Sequence, residues 1–567
     1  MNNVTEFSLL FPSGKQQTNN HFAHNWAGDL HIEGLLDALS VDPIYRPSNH
    51  ALLSTLVTDI EIIRYRQDVL RDLMSNEKLA TRLPEVLEVI QTLKGYTHIG
   101  NWREPQLRLI AWRVGELESF VNCVVMLHEL LSAVGEKLQS TGLVQLRKFM
   151  SVIVQDETFQ KLQLELPDMI QRIRGNTSVT IGVNLNDRLQ PVEATLLSVN
   201  QEKFTGSRFM FRLFGKPRLN NQDGDEYEGI SPLHSAIRIF QEQSFKAPIH
   251  EKESPLLIPL FRDLAEILEQ SCKPIARALQ QYTGFSSALL VRLESEIAFY
   301  LGGIQLNKRL LAMGLPMVQP EVLPIADQIC HLDGLYNIDL ALQQSNPMPI
   351  VDNDVQFDEN GQIFILTGPN RGGKTTYIRA IGLAQILMQA GLCVPASSAH
   401  MSPVDGIYTH FATTENPEVH AGRLGEEAKR VYEIFSQATQ NSLILLNESF
   451  ASTSAEESLF LAREIVLVMR VLGVRAIFAT HLHELAADIE SINTEVDGTS
   501  RVISMVSLVE MEEQENGEVY AKRTFKIVPG EPMGQSYARE IAVRYGISFR
   551  QLTDMLRQRQ QIPTKSD

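Results

Sequence analysis

From Leu53 onward the apolar positions fall at helical spacing: Leu56, Val57, Ile60 and Ile63 begin the pattern, and Leu70 and Leu73 continue it. Residues 1–50 carry no such period and read as mixed and turn-rich. Residues 105–172 return to a helical pattern, interrupted only by isolated Gly and Pro. At Asn176 the period changes. Val179, Ile181, Val183 and Leu185 alternate with polar or small residues, which predicts a half-buried strand, and two further strand-like runs follow at 191–199 and 207–214. The Gly/Asn/Asp-rich stretch 215–231 closes this β island as a surface loop. A helical pattern then runs from about 256 to 313, before Gly314 and Pro316. Helices, a small β module, then helices again predict a helical arm with a β tip at its end; periodicity alone equally admits an ordinary α+β domain.

After about residue 345 strands and helices alternate. IFILT (363–367) leads into a Gly-rich turn and a helix that runs to Gly391, and SLILL (442–446) ends at Asn447-Glu448. The next helix opens with a capping box, Ser454 with Glu457 three residues on, and AIFAT (476–480) ends at His481. This alternation predicts a parallel sheet whose functional loops gather at the carboxyl ends of its strands.

One of those ends carries GPNRGGKTT, residues 368–376, which fits G-x-x-x-x-G-K-[ST]. Such a loop needs Gly372 and Gly373 so that backbone N–H groups can turn inward around phosphates. Lys374 supplies a point charge, Thr375 a hydroxyl for Mg²⁺, and the helix N-terminus a favourable dipole. Asn447 and Glu448 stand where a phosphate-loop ATPase usually places Asp then Glu. Glu448 suits activation of the attacking water, whereas Asn447 can accept a hydrogen bond but brings no charge. His481, at the end of the following strand, stands where a γ-phosphate sensor could sit.

Composition narrows the partners. With 567 residues the chain has room for three to four domains, and 51 Lys+Arg against 68 Asp+Glu leave a net charge of −17. A general basic coat for nucleic acid is therefore excluded, and any such contact must be local. The candidate is the basic aromatic island 203–218, with Lys203, Arg208, Arg212, Lys216 and Arg218 and no acid. On a strand over 207–214, Arg208, Met210 and Arg212 would share one face and Phe209, Phe211 and Leu213 the other. That suits phosphate contact, and equally a small β module whose arginine face is merely solvated. Cys123, Cys272, Cys330 and Cys393 form no CxxC pair, which excludes a zinc knuckle and predicts a reducing compartment. No signal-peptide pattern opens the chain and no window reaches about 18 uninterrupted apolar residues, so a cytoplasmic protein without a membrane span is expected.

The stretches TGPNRGGKTTYIRAI, GLCVPA (391–396), LILLNESFASTS (443–454), FATHLHEL (478–485) and IVPGEPMGQSYAREIAVRYGI (527–547) together resemble the MutS family of DNA mismatch-repair ATPases, relatives of ABC ATPases. The resemblance is strong over 320–567 and weaker over 51–313. It implies a multidomain chain: a helical core segment over 1–104, lever helices over 105–319 with a β clamp-like insertion at about 176–218, and an α/β P-loop, ABC-like ATPase domain over 320–567. It further implies that Gly368, Pro369, Asn370, Gly372, Gly373, Lys374, Thr375 and Thr376 bind ATP, that Thr375 and Asn447 serve Mg²⁺, and that Glu448 is the catalytic carboxylate with His481 as sensor. By the same resemblance the protein would be a homodimer that clamps DNA according to its nucleotide state, in DNA repair. Two departures from the pattern point to slow hydrolysis: Asn447, and Ala421-Gly422 where the family's signature serine is expected. The Phe-x-Glu triplets at Phe240 and Phe357 lie far from the N-terminus, where mismatch-recognising members carry that motif, so direct mismatch recognition is not expected. The alternative is a nucleotide-gated scaffold with weak hydrolysis, acting on a protein partner or on ribosome-associated RNA.

Overall fold

The computed structural model describes residues 7–15, 26–97, 106–174, 178–189, 191–200, 273–283, 285–343, 349–412, 423–513, 519–532 and 546–559. The chain divides into two compact units, one of Met1–Leu87, Leu130–Leu146 and Arg292–Asp567, the other of Glu88–Glu129 and Arg147–Val291.

Helices dominate the first part of the chain: α1 (Trp26–Leu30), α2 (Ile32–Leu39), α3 (Arg46–Leu53), α4 (Ile60–Ser75), α5 (Glu77–Thr97), α6 (Gln106–Val134), α7 (Thr141–Gln155) and α8 (Glu157–Arg174). The first three fall where the apolar pattern predicts turns. They are only five to eight residues long, too short for a period to register, yet Leu30, Ile32, Leu35, Leu36 and Leu39 are fully buried. His31, in the left-handed conformation at φ 57°, separates α1 from α2. Helix α4 follows the predicted spacing and is capped by Asp59, whose side chain accepts from the Glu61 N–H.

Residues Leu109–Lys137 form a stretch long and apolar enough to cross a membrane by length and composition, although half of its most apolar window is already buried in the protein. It is not an unbroken apolar run, because isolated charges such as Arg113 and Glu116 punctuate it.

In the second unit, β1 (Ser178–Leu185) and β2 (Pro191–Asn200) pair antiparallel, in the place where the alternation predicts two strands. The third predicted run, 207–214, lies outside the described residues, as do Lys203, Arg208, Arg212, Lys216 and Arg218. The core of this unit includes an aromatic group in which Phe285 lies 5.6 Å from Phe120 and 6.0 Å from Phe159, centroid to centroid. Tyr282 beside them is fully buried and its hydroxyl donates to Glu165 at 2.7 Å.

The first unit resumes within α9 (Ala288–Ala312) and continues with β3 (Glu321–Val322), β4 (Cys330–Leu335), α10 (Ile338–Gln343), β5 (Asn353–Phe357), β6 (Ile363–Thr367), α11 (Lys374–Gln389), β7 (Ser398–Met401) and β8 (Ile407–Phe411). After these come α12 (Arg423–Gln437), β9 (Leu443–Asn447), α13 (Ala455–Leu472), β10 (Arg475–Ala479), α14 (His483–Ala487), α15 (Ile489–Glu495), β11 (Val502–Glu513), β12 (Val519–Pro529) and α16 (Phe549–Gln558). Six strands form the main sheet in the order β12-β11-β6-β10-β9-β8, parallel except for β12; a smaller sheet runs β3-β7-β4-β5. Strands β6, β8, β9 and β10 are buried at every position, which is why β6 and β9 read as apolar runs rather than alternations. Ile363, Ile365, Ile444, Leu446, Ala476 and Phe478 pack with Ala462, Val466 and Met469 of α13 and Leu485 of α14. On α11, Gly382 sits where a Cβ would come within 3.2 Å of Leu445, whose neighbours in β9 face α13, so helices cover both faces of the sheet.

The N-terminal segment is tied into this unit by long-range polar contacts. Ser8 Oγ donates to Glu296 Oε1 at 2.8 Å and the Leu9 N–H to its other oxygen at 2.6 Å. Tyr300 donates to Leu9 O at 2.8 Å and the buried Arg66 to Leu10 O at 3.0 Å. Burial raises the Glu296 carboxyl above its ordinary range, with these hydrogen bonds opposing the shift.

Candidate functional site

Strand β6 delivers the chain into a loop that neighbouring strand β11 holds closely. A Cβ at Gly368 would lie 2.7 Å from Ser507 Cβ, and one at Gly372 would lie 2.6 Å from Ser507 Oγ, so neither position has room for a side chain. Ser507 Oγ donates to Gly372 O at 2.6 Å and fixes the loop from the β11 side. Gly373, at φ 95°, is the N-cap of α11 and offers no side-chain cap. The first-turn N–H groups of that helix therefore have no intrahelical acceptor, and they sit at the positive end of its dipole.

Lys374 is 4% exposed, and its ammonium donates to Gly368 O at 2.8 Å and Pro369 O at 3.2 Å. Burial pulls its pKa from 10.5 down to about 8, against the opposing pull of the Glu448 carboxylate. Two neutral carbonyls leave a third N–H of the ammonium for an incoming group. A desolvated cation at a glycine cradle and a helix N-terminus is suited to an anion such as a phosphate.

Two strand ends complete the site. Thr375 Oγ1 donates to Asn447 Oδ1 at 3.3 Å, which joins the start of α11 to the end of β9. The chain then turns sharply: Glu448 has φ 56° and Phe450 φ 64°. Left-handed backbone at such residues costs roughly 1–3 kcal/mol each and persists only where the surroundings fix it. Here the Glu448 N–H donates to Ala479 O at 2.8 Å, the Phe450 N–H to Glu427 Oε2 at 2.6 Å, and Ser458 Oγ to Phe450 O at 2.6 Å. Between them, Ser449 Oγ lies 2.7 Å from Nδ1 of His410, an imidazole whose pKa is lowered by burial. The Glu448 carboxylate stands 2.8 Å from Nε2 of His481, and that hydrogen bond keeps its pKa below the ordinary range despite partial burial.

A cleft of about 390 Å³ opens at the carboxyl ends of these strands. Gly372, Gly373, Lys374, Thr375, Thr376 and Glu448 line it together. Gly368 and Pro369 serve it through the carbonyls that hold Lys374, Asn447 through Thr375, and His481 through Glu448. Asn370 is exposed and does not line the cleft. Ala421 and Gly422 lie outside the described residues.

Several residues of the site carry no local signature in the sequence. Phe525 lines the mouth at φ 60° and is 45% exposed; Asn353 fixes it by donating to Phe525 O at 3.2 Å and accepting from the Ile527 N–H at 2.7 Å. Pro349, Ile350 and Val351 add apolar lining to the same cleft. A planar ring and an apolar wall suit a heterocyclic base, while the glycine loop suits its phosphates. Ser507, Glu427 and His410 are ordinary polar residues of a strand or helix, and only the fold brings them to the loop and the Glu448 turn.

Two family models match the chain: the MutS2 N-terminal domain over residues 58–313 and MutS domain V over residues 364–543. Among curated proteins it is similar to the DNA mismatch repair protein MutS of Lactobacillus johnsonii, 28% identical over 299 residues, covering 50% of this chain and 33% of that protein. The same-named protein of Salinibacter ruber is 29% identical over 325 residues, 55% of this chain and 34% of that protein. That of Chlorobium limicola reaches 37% over 139 residues, 24% and 16% of the two chains. The chain thus spans about a third of the length of the first of these relatives. Nothing in these matches supports a ribosome or RNA partner.

Proposed function

Starting from a chain that belongs to the MutS family, we propose that it binds and hydrolyses ATP at the cleft beside Lys374 and uses that cycle to change its grip on DNA. The observation that carries the nucleotide reading is the buried Lys374 ammonium, drawn down to about 8 and held at the end of a loop whose Gly368 and Gly372 have no room for side chains. An anion at that place would restore the charge that burial opposes. Gly372, Gly373 and the first turn of α11 offer backbone N–H groups to the phosphates, and Phe525 with the apolar wall receives the base. The Thr375 hydroxyl and the Asn447 amide oxygen, already 3.3 Å apart, are the groups that would hold Mg²⁺ and its water shell. Mg²⁺, when bound, neutralises charge on the phosphate oxygens. Glu448 is held ionised by His481 and so is ready to orient a water and accept its proton. Asn447 brings no charge to this arrangement, which favours slow turnover.

The DNA partner, a homodimeric assembly and action in repair are proposed from the family and from the basic island 203–218. The buried free thiols of Cys123, Cys330 and Cys393 fit a reducing, cytoplasmic setting. The test is paired. Lys374→Ala should abolish ATP binding while thermal melting shows a folded protein. Wild-type binding to duplex, mismatch and junction DNA should depend on nucleotide and weaken steeply with salt. Undiminished ATP affinity in the folded mutant refutes the nucleotide site; salt-independent binding refutes the DNA reading.

A further inference from the structure

We propose that Glu427, a side chain 23 residues before Phe450 in sequence and remote from the phosphate loop, is a positioning residue that holds the Glu448 carboxylate in place by clamping the turn behind it. The inference rests on the ATPase reading above and adds a residue to its machinery. Glu427 lies in α12, is 7% exposed, and accepts the Phe450 N–H at 2.6 Å. Phe450 is bulky, buried and left-handed, two residues beyond a left-handed Glu448. An unrestrained chain would leave both conformations, because the L-residue Cβ clashes with its own backbone there.

The turn is restrained from three directions. Ala479 O takes the Glu448 N–H, Ser458 Oγ gives to Phe450 O, and Glu427 takes the Phe450 N–H. The first two come from β10 and α13, elements that follow the turn in sequence; Glu427 alone of these three comes from α12, which precedes it. A carboxylate accepting a buried N–H makes a stronger bond than a neutral acceptor, and its loss strands a buried donor. Without it, Phe450 relaxes toward ordinary backbone and carries Glu448, two residues away, off its line to the water. His481 would follow Glu448 through their shared hydrogen bond, so that contact survives while the carboxylate's aim is lost.

A displacement near 1 Å in a reacting group costs about 10²-fold in rate, so Glu427→Ala should slow single-turnover hydrolysis of Mg·ATP by about 10–100-fold. Its Kd for Mg·ATP should stay within about twofold of the wild type, since Lys374 is held by Gly368 O and Pro369 O and the loop by Ser507. Glu427→Gln keeps an oxygen acceptor for the Phe450 N–H and should recover most of the rate; a mere loss of stability would instead lower melting temperature and binding together. Wild-type rates in Glu427→Ala overturn the clamp, as do equal losses in the Ala and Gln variants, or loss of Mg·ATP affinity in a folded Ala variant. A hydrolysing wild type indifferent to Glu427 fails the clamp alone. A wild type that binds no Mg·ATP, or binds without hydrolysing it, fails the ATPase reading and the clamp with it.

Discussion

Raising the pH from 7 to 9 should weaken ATP binding, and the size of the effect follows from Lys374. With a pKa of about 8 in the free protein, its amine is about 91% charged at pH 7 and about 9% at pH 9. If only the charged form meets the phosphates, affinity falls about tenfold over that interval, or about 1.4 kcal/mol. A phosphate's second ionisation lies near pH 6, so the ligand itself changes little in this window. Bound phosphates restore the amine's pKa, so binding takes up about half a proton at pH 8 and close to one at pH 9. Isothermal titration calorimetry in two buffers of different ionisation enthalpy measures that proton directly. The sign for stability runs the other way. The folded pKa lies below the ordinary 10.5, so between about pH 8 and 10.5 the unfolded chain binds more protons and the free protein gains stability as pH rises. The whole penalty, present below pH 8, is about 3 kcal/mol, and nucleotide should remove much of it. A flat Kd from pH 7 to 9 with no proton uptake refutes the reasoning.

Three other outcomes are expected. Asn447→Asp should raise the hydrolysis rate by about 10–100-fold with little change in ATP affinity, because a carboxylate holds the ion's water shell through a charged hydrogen bond; a slower enzyme in single-turnover assays would show that the site has adapted to the amide. Glu448→Gln should cost about 10²–10⁴-fold in rate with ATP binding retained, as for loss of a general base, and an unchanged rate would remove Glu448 from the chemistry. Replacing Arg208 and Arg212 together with Ala should weaken DNA binding at low salt and flatten its salt dependence by about two phosphates' worth without altering ATP binding; unchanged slopes in a salt titration would make the island structural.

The gathering of the candidate-site residues around one cleft was largely legible in the sequence because they come in short runs at strand ends. IFILT is β6 residue for residue, and Gly372 to Thr376 follow it into the cleft as the motif implies. Asn447-Glu448 and His481 were legible because their strands, buried on both faces, announce themselves as apolar runs. What stayed hidden depends on partners far apart in the chain. Ser507 is one small residue in a strand, and its value lies in standing against Gly372 across 135 positions. Glu427 reads as an ordinary helix carboxylate until the Phe450 N–H is found beside it. Among the helices, α1 to α3 escaped because five to eight residues supply barely two turns of periodicity, and their burial comes from neighbours that no local window contains.

The contacts that tie down the N-terminal segment also set a timetable. Ser8 is joined to Glu296 across 288 residues, and the whole of the second unit is encoded between the two. At about 5–20 residues per second, a ribosome takes about 15–60 s to reach Glu296 after making Ser8. Throughout that interval α1 to α4 exist without Tyr300 and the rest of α9, so Leu39 and Leu70, which lie against Gly302 and Gly303 of that helix, wait with an unfinished core. Contacts of such sequence separation make closure slow even after the chain is complete. The nascent first unit is thus obliged to remain open while its inserted neighbour is made, a period in which sticky early helices depend on delayed chain rather than on their own strength.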